Sequence, residues 1–396
     1  MTKLYLAASQ TENADLRPYL FPMTGIRVFS LEEAMYHCFH HWRQSVDFLG
    51  EPFIRWVESD LGLGEIGAKL RKIEAMEGFA ARFLAFLAVT DYFPKENLAA
   101  LAKELGKWER RQTWEKLAEQ GDYWIRRGEG ERAFALYNKA LNHQEVPSVK
   151  LLNNCGVALM HMGNFDNAAA HFARALRAAV GEELHFTLCC NLIEAQIYAG
   201  DFEEAQAHIE EAAADAQEHH ELYYFQGEIN FYQKNYFEAT KLYEKALSLF
   251  YDPEYIYKLC DCYMRIRLYD KALTTIQTVV VQDIYFLRKQ AGYFAMAQNI
   301  PMAIKSIEKA LLTHGSDPEL LITLAGYHRQ DYDLMKASAA ISRALNFAPD
   351  NPAALLEQAR IRKAQGRTKE YQGILNRILA AFKRNYREQK RLDARD

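Results

Sequence analysis

Three groups of residues have types and spacings that chemistry could use. His37-x-x-His40-His41 sets residues 37 and 41 on one face of a helix, as two metal ligands sit. No glutamate lies between these histidines and no Cys or His pair at zinc spacing follows, so partly buried or surface histidines are expected instead. Cys260-Asp261-Cys262 is dense enough to suggest a metal or redox pair. Cysteine is also small and readily buried, and Cys155, Cys189 and Cys190 stand in comparable places, so packing is the expected role. Gly62-x-Gly64-x-x-Gly67 has the glycine spacing of a phosphate loop, but it follows a helical stretch rather than a strand and no βαβ unit surrounds it. It is expected to be a plain loop. No Gly-x-Ser-x-Gly, Walker lysine or His-Glu-x-x-His occurs. The chain offers no catalytic set, so no enzyme activity, cofactor or metal is expected.

The elements holding these residues follow from composition and periodicity. The chain has 396 residues, 49% hydrophobic and 25% charged, with only ten prolines. These are values of a folded chain too long for one compact core. Lys and Arg total 48 against 52 Asp and Glu, a net charge of -4, which gives no general pull toward nucleic acid or anionic lipid. Residues 1–10 lack the long apolar run of a signal peptide, and the most apolar stretch, 79–89, carries Arg82 and is too short to span a bilayer. Six cysteines without framework spacing fit a reducing compartment. A cytoplasmic location is expected.

A repeat organises the rest. Asn154-Cys155-Gly156-Val157-Ala158, then Gly163-Asn164-Phe165, then Ala168, Phe172, Ala175 and Leu176 form one unit. This segment resembles a tetratricopeptide repeat, whose pattern has a small residue at its eighth position, a turn glycine, and later Ala, an aromatic and Ala-Leu. Sliding the template along the chain puts the eighth position at Gly121, Gly156, Ile193, Gly227, Cys260, Ala291, Ala325 and Ala359, a mean spacing of 34 residues. Twelve residues on stand Ala133, Ala168, Ala205, Ala239, Ala272, Ala303 and Ala337, followed by Tyr137, Phe172, Ile209, Tyr243, Ile276, Ile307 and Ile341. Antiparallel helices approach closely only where side chains are small, while a large ring or aliphatic fills the adjacent gap. Gly128, Gly163, Gly200 and Gly366 mark the turns, and in other units Lys234-Asn235, Arg267 and Gln298-Asn299 take that place, with asparagine expected to accept the left-handed conformation. Pro147, Pro253, Pro318 and Pro349-Asp350-Asn351-Pro352 separate the units. The expected fold is all-α: a solenoid of tetratricopeptide-type helical hairpins over 111–381, a right-handed superhelix with seven clear repeats and a degenerate eighth.

Residues 1–110 have lost the period but stay helical. Ser30-Leu31-Glu32-Glu33 is a capping box opening a helix through about Trp42, and further helices are predicted at 52–59, 65–76, 79–91 and 94–110. This region is expected to cap the first repeat. Gly25–Glu33 followed by Trp56–Leu63 is similar to the amino-terminal part of uncharacterised tetratricopeptide proteins of Gram-positive anaerobic bacteria, which suggests a bacterial source. Residues 382–396 turn polar and basic and are expected to form a solvated end cap or tail.

The resemblance implies that the first helix of each unit lines a concave face through its second, fifth, sixth, ninth and twelfth positions. In this chain that face would hold Asp122, Lys150, Asn153, Asn154, Asn191, Glu194, Tyr224, Glu228, Tyr257, Asp261 and Met264. Asn154 and Asn191 occupy the sixth position, where related proteins use asparagine to bind the main chain of an extended peptide; an amide both donates and accepts. Satisfying a neighbouring helix is an equal reading of the same residues. Asp122, Glu194, Glu228 and Asp261 beside Tyr224 and Tyr257 suggest a basic or aromatic-bearing ligand, or simply a solvated acidic lining. The carboxylate grip of chaperone-binding relatives is absent: its places hold Ala118, Asp122, Asn154, Thr187 and Asn191, and an acid there repels a carboxylate. The expected function is a protein-binding scaffold or adaptor, with no nucleic-acid or membrane partner. A self-associating structural component and a peptide-sensing regulatory or accessory subunit are the alternatives.

Overall fold

This computed structural model describes residues 17–46, 48–179, 184–215, 219–315 and 317–392. The chain divides into two compact units, Met1–Ala199 and Gly200–Asp396.

The first unit begins with a feature the sequence reading did not mark, a two-stranded antiparallel hairpin of β1 (Tyr19–Leu20) and β2 (Arg27–Val28). Strands of two residues are too short to show a period of two. The helices α1 (Leu31–His40), α2 (Glu51–Arg55), α3 (Gly64–Glu74), α4 (Phe79–Leu87) and α5 (Lys95–Glu109) follow, near the predicted places. Ser30 caps α1 by accepting the Glu33 N–H at 3.1 Å, but the returning arm differs from a capping box. The Glu33 carboxylate accepts from Phe29 N at 2.6 Å rather than from Ser30. Phe21, Phe53 and Phe86 are fully buried, and Phe48 meets Phe53 and Phe86 edge-on at 5.0 and 4.8 Å. Each buried ring contributes about 2 kcal/mol of apolar burial.

Of the singled-out motifs, the Gly62-x-Gly64-x-x-Gly67 run is a turn and a helix start, with Gly67 packed so tightly that an added Cβ would stand 2.1 Å from the Glu58 side chain. His37 is buried with its Nε2 3.0 Å from Thr24 Oγ1, and the His41 ring lies 5.0 Å away. Among the described residues no three His, Cys, Asp or Glu side chains are gathered as a metal would need. No described helix is long and apolar enough to cross a membrane.

The first unit continues with α6 (Thr113–Ile125), α7 (Gly130–Asn142), α8 (Val149–His161), α9 (Phe165–Ala178) and α10 (His185–Ala199). Arg43 and Arg111 both pair with Glu119 of α6, and Gln120 Nε2 donates to Arg43 O at 3.3 Å, tying the amino-terminal helices to the first hairpin. The second unit holds α11 (Phe202–Asp215), α12 (His220–Tyr232), α13 (Tyr236–Leu249), α14 (Pro253–Arg265), α15 (Tyr269–Ile276), α16 (Ile284–Met296), α17 (Ile300–His314), α18 (Pro318–Gln330), α19 (Leu334–Phe347), α20 (Pro352–Ala364) and α21 (Thr368–Leu392). The architecture is all-α apart from the small hairpin, a succession of helical hairpins in repeated packing. Pro253, Pro318 and Pro352 open helices behind side-chain caps from Asp252, Asp317 and Asn351, where a missing N–H costs nothing. The last helix runs without a break past the expected boundary at 381 to Leu392.

The repeat register is a matter of volume. An added Cβ on Gly121 would stand 2.4 Å from the Tyr137 ring, on Gly156 2.4 Å from Phe172 and on Gly227 2.6 Å from Tyr243. Where the eighth residue is instead Cys260, Ala291 or Ala325, the partner position holds the smaller Ile276, Ile307 or Ile341, each buried to 1% exposure or less. Glycine admits a ring and a larger residue admits only an aliphatic. Cys260 is thus a packing residue; its Sγ lies 3.4 Å from Ala272 O, and burial pushes the Cys260 and Cys262 thiols up to about 12.

The turns correct one expectation. Asn235 N bonds to Asn230 O at 2.8 Å and Asn299 N to Phe294 O at 2.8 Å, so each asparagine is the third residue past its helix, two beyond the cap. The left-handed residue is the one before, Lys234 at φ 66° and Gln298 at φ 60°, joined by Arg267 at 63° and Tyr332 at 62°. Hydrogen-bond geometry, not side-chain preference, selects the position.

Candidate functional site

On the first helices of the first unit, the ring that fills the glycine gap also carries chemistry. Tyr137 of α7 lies over Gly121 and donates its hydroxyl to Asp122 Oδ1 at 2.7 Å. Asp122 Oδ1 also accepts from Asn154 Nδ2 at 3.2 Å, linking α6 to α8. One hairpin on, Asn191 Nδ2 donates to Asn153 Oδ1 at 2.8 Å, linking α10 to α8. Asp122, Asn153, Asn154, Asn191 and Glu194 are half-buried and Lys150 is exposed. Burial and the Asp122 charge raise the Tyr137 pKa well above its ordinary value, so the hydroxyl stays a donor.

Three of the expected residues line one cavity. A space of about 500 Å3 opens between α6 and α8, bordered by Trp114, Glu119, Asp122, Lys150 and Asn154 together with Arg111. Its three acids are engaged: Glu115 by the Gln112 N–H, Glu119 by Arg43 and Arg111, Asp122 by Tyr137 and Asn154. Its size suits a peptide side chain with its flanking backbone. A second cavity, of about 560 Å3, adjoins α1 and β2, with Arg27, Phe29, Tyr36, His37 and Tyr92 in its wall.

The second unit repeats the glycine–acid–tyrosine arrangement. Tyr243 lies over Gly227 and donates to Glu228 Oε1, as Tyr137 does to Asp122. Glu228 is only 3% exposed, and its other oxygen takes Lys258 Nζ of α14 at 2.5 Å. Asp261 has no tyrosine at the corresponding place and takes the Tyr293 hydroxyl at 2.8 Å and Lys289 Nζ at 3.2 Å, both from α16. Tyr257 is buried and its pKa is pushed up to about 12, mainly by desolvation; Met264 is buried as well. Tyr224 is half-buried and stacks on Tyr255 at 5.0 Å.

Lys258 and Lys289 went unread in the sequence. Both occupy the sixth template position, the one inspected for asparagine, so a scan of that position for either charge would have found them. The tyrosine links were also legible: an acid follows the eighth-position glycine where the residue fifteen further on is tyrosine, at Asp122 with Tyr137 and at Glu228 with Tyr243. Where that residue is Phe172, the acid is replaced by Val157. A hydroxyl brought to a buried place requires an acceptor, and a bare ring does not.

Residues 190–254 match the family model of the tetratricopeptide repeat. No curated protein matches the chain. Among solved structures, the chain is similar to a tetratricopeptide repeat protein from Parabacteroides merdae at 18% identity, over 60% of this chain and 94% of that one, with a TM-score of 0.43. It is similar to the carboxy-terminal part of a repeat-containing protein from Cytophaga hutchinsonii at 18% identity, over 60% and 98%, with a TM-score of 0.39. A chain of the Cut9–Hcn1 hetero-tetramer of the APC/C is similar at 13% identity, over 84% and 71%, with a TM-score of 0.41. Residues 190–254 thus carry a tetratricopeptide repeat, and the same small-residue, aromatic and turn register runs through the hairpins before and after them.

Proposed function

We propose that this chain is a non-enzymatic adaptor that holds an extended segment of a partner protein against the first helices of its first unit, between Asp122 and Glu194. The observation that supports this is the cavity of about 500 Å3 between α6 and α8, lined by Lys150, Asn154 and Trp114 among others. Asn154 and Asn191 each use an amide N–H on a neighbour and retain a carbonyl oxygen that accepts from a peptide N–H. Lys150 supplies a donor for a peptide carbonyl or an acidic side chain, while Tyr224, Glu228, Tyr257 and Asp261 shape the corresponding face of the second unit. A basic or aromatic-bearing segment would find aromatic surface at Trp114 in the first unit. A bacterial, cytoplasmic setting is part of the same proposal.

The test is a quantitative comparison of proteins captured by the full chain and by an Asn154→Ala, Asn191→Ala double variant with an unchanged far-UV circular dichroism spectrum. Loss of one or a few specific partners from the variant is the expected result. An identical captured set would overturn the assignment to this face.

A further inference from the structure

The cavity of about 560 Å3 against α1 and β2 has charges of both signs in its wall that do not pair with one another. Two elements build most of it. Glu33, Tyr36, His37 and His41 fall at i, i+3, i+4 and i+8, one face of α1, and all four border the space. Arg27 and Phe29 are exposed on either side of the buried Val28 and border it too. Tyr92, from the segment between α4 and α5, adds a third aromatic ring to Phe29 and Tyr36.

The partners of these groups say what the cavity suits. Arg27 makes no ion pair with any described residue, although Glu32 and Glu33 line the same space. Glu33 accepts from Phe29 N with Oε2 and keeps Oε1 for another donor. His37 is only 4% exposed; its Nε2 lies 3.0 Å from Thr24 Oγ1, and its Nδ1 has no partner among the described residues. In the tautomer that donates Nε2–H to Thr24, Nδ1 is an acceptor, and burial holds the ring uncharged with a pKa of about 4. A ring nitrogen this buried requires a polar partner, which a ligand in the cavity would supply. The three aromatic rings do not stack on one another; Tyr36 packs on His40 at 4.3 Å and Tyr92 on Phe93 at 4.8 Å.

Charge narrows the ligand. An anion alone would meet the carboxylates of Glu32 and Glu33, and a cation alone would meet Arg27. A molecule carrying both charges answers both, and a carboxylate matches the planar fork of the unpaired guanidinium. The volume of about 560 Å3 is in the ordinary range for a small-molecule site.

We propose that this cavity binds a free α-amino acid with an apolar side chain, its carboxylate on Arg27, its ammonium at Glu33 and His37, and its side chain among Phe29, Tyr36 and Tyr92. The site is separate from the cavity between α6 and α8, so either proposal can fail without the other.

Isothermal titration calorimetry of the full chain with L-phenylalanine is the test. Phenethylamine, which lacks the carboxylate, and 3-phenylpropionate, which lacks the ammonium, are the controls. L-Phenylalanine is expected to bind at least about tenfold tighter than either. Arg27→Gln should leave the melting temperature of the ligand-free chain unchanged, weaken L-phenylalanine about tenfold and leave phenethylamine as it was. Glu33→Gln, which keeps an acceptor for Phe29 N, should weaken L-phenylalanine and phenethylamine and spare 3-phenylpropionate. Equal binding of the three compounds would reveal a merely apolar pocket and overturn the proposal. So would an affinity for L-phenylalanine that Arg27→Gln does not change, or the absence of binding by L-phenylalanine, L-leucine and L-tryptophan alike at millimolar concentration.

Discussion

The two units meet the same template with different chemistry. In the first, α6, α8 and α10 are joined along their lining by amides: Asn154 to Asp122, and Asn191 to Asn153. In the second, α12, α14 and α16 are joined by ions: Lys258 to Glu228 and Lys289 to Asp261. The geometry is shared, a ninth-position acceptor reaching a sixth-position donor one hairpin later at Asp122, Glu228 and Asp261. The amide rungs use the Asn154 and Asn191 donors and leave their carbonyl oxygens to accept, with the Asp122 charge met by neutral donors, whereas in the ionic rungs the charges of Glu228 and Asp261 are matched by lysines. The same link made from different groups predicts different costs for breaking it in the two units.

The largest expected difference between the faces comes from removing one donor of each kind. Lys258→Met leaves Glu228, 3% exposed, with only the Tyr243 hydroxyl, and should cost about 3 kcal/mol in the second unit. Asn154→Ala removes a half-buried rung at 3.2 Å and should cost about 1 kcal/mol. Urea unfolding of both variants checks this, and equal losses would break the distinction between ionic and amide rungs.

Packing supplies the next effect. Gly156→Ala drives a methyl to 2.4 Å from the Phe172 ring and should destabilise the first unit by about 2 kcal/mol, with Phe172→Ile restoring most of it because Ala291 with Ile307 is already that combination in the second unit. Calorimetric melts of the single and double variants measure the coupling. A double variant no better than the single would mean that volume exchange does not govern the register.

That register was the most legible part of the sequence, because small residues every 34 positions reflect a contact that each hairpin must make with itself. Single polar partners were less legible, since the template names a position without saying which neighbour it meets. Asp122 and Glu228 read as lining acids when each is an acceptor for the tyrosine fifteen residues on, and Asp261, with Ile276 at that place, turns to Tyr293 instead. The turns show the same limit. Asn235 has the better left-handed preference, but the bond from its N–H to Asn230 O gives the positive φ to Lys234.

Acid should strike the two units at buried histidines. Burial lowers the His37 pKa from 6.5 to about 4, with the His41 and Arg127 charges adding, and burial lowers the His328 pKa as well. The unfolded chain therefore takes up protons first. Stability is full above about pH 6.5 and falls as pH drops toward 4, by on the order of 2 kcal/mol for His37. His37→Gln should flatten the loss of melting temperature between pH 6.5 and 5, where carboxylates are still ionised. An unchanged slope would show that His37 is not the group responsible.

The smallest effect sharpens the comparison at the turns. In the first unit the hairpins after α6 and α8 turn on Gly128 and Gly163, while the second places Lys234, Arg267, Gln298 and Tyr332 at positive φ. A side chain in that conformation costs about 1 kcal/mol, which the second unit carries four times. Tyr332 is the cleanest place to remove it, being 90% exposed, so that little packing is lost with the ring. Tyr332→Gly should raise stability by somewhat under about 1 kcal/mol, because glycine returns part of the gain as freedom in the unfolded chain. Gly163→Lys in the first unit should lose a similar amount. If chemical unfolding shows Tyr332→Gly to be destabilising, the exposed ring makes contacts that matter, and the turns of the second unit are held by their side chains rather than strained by them.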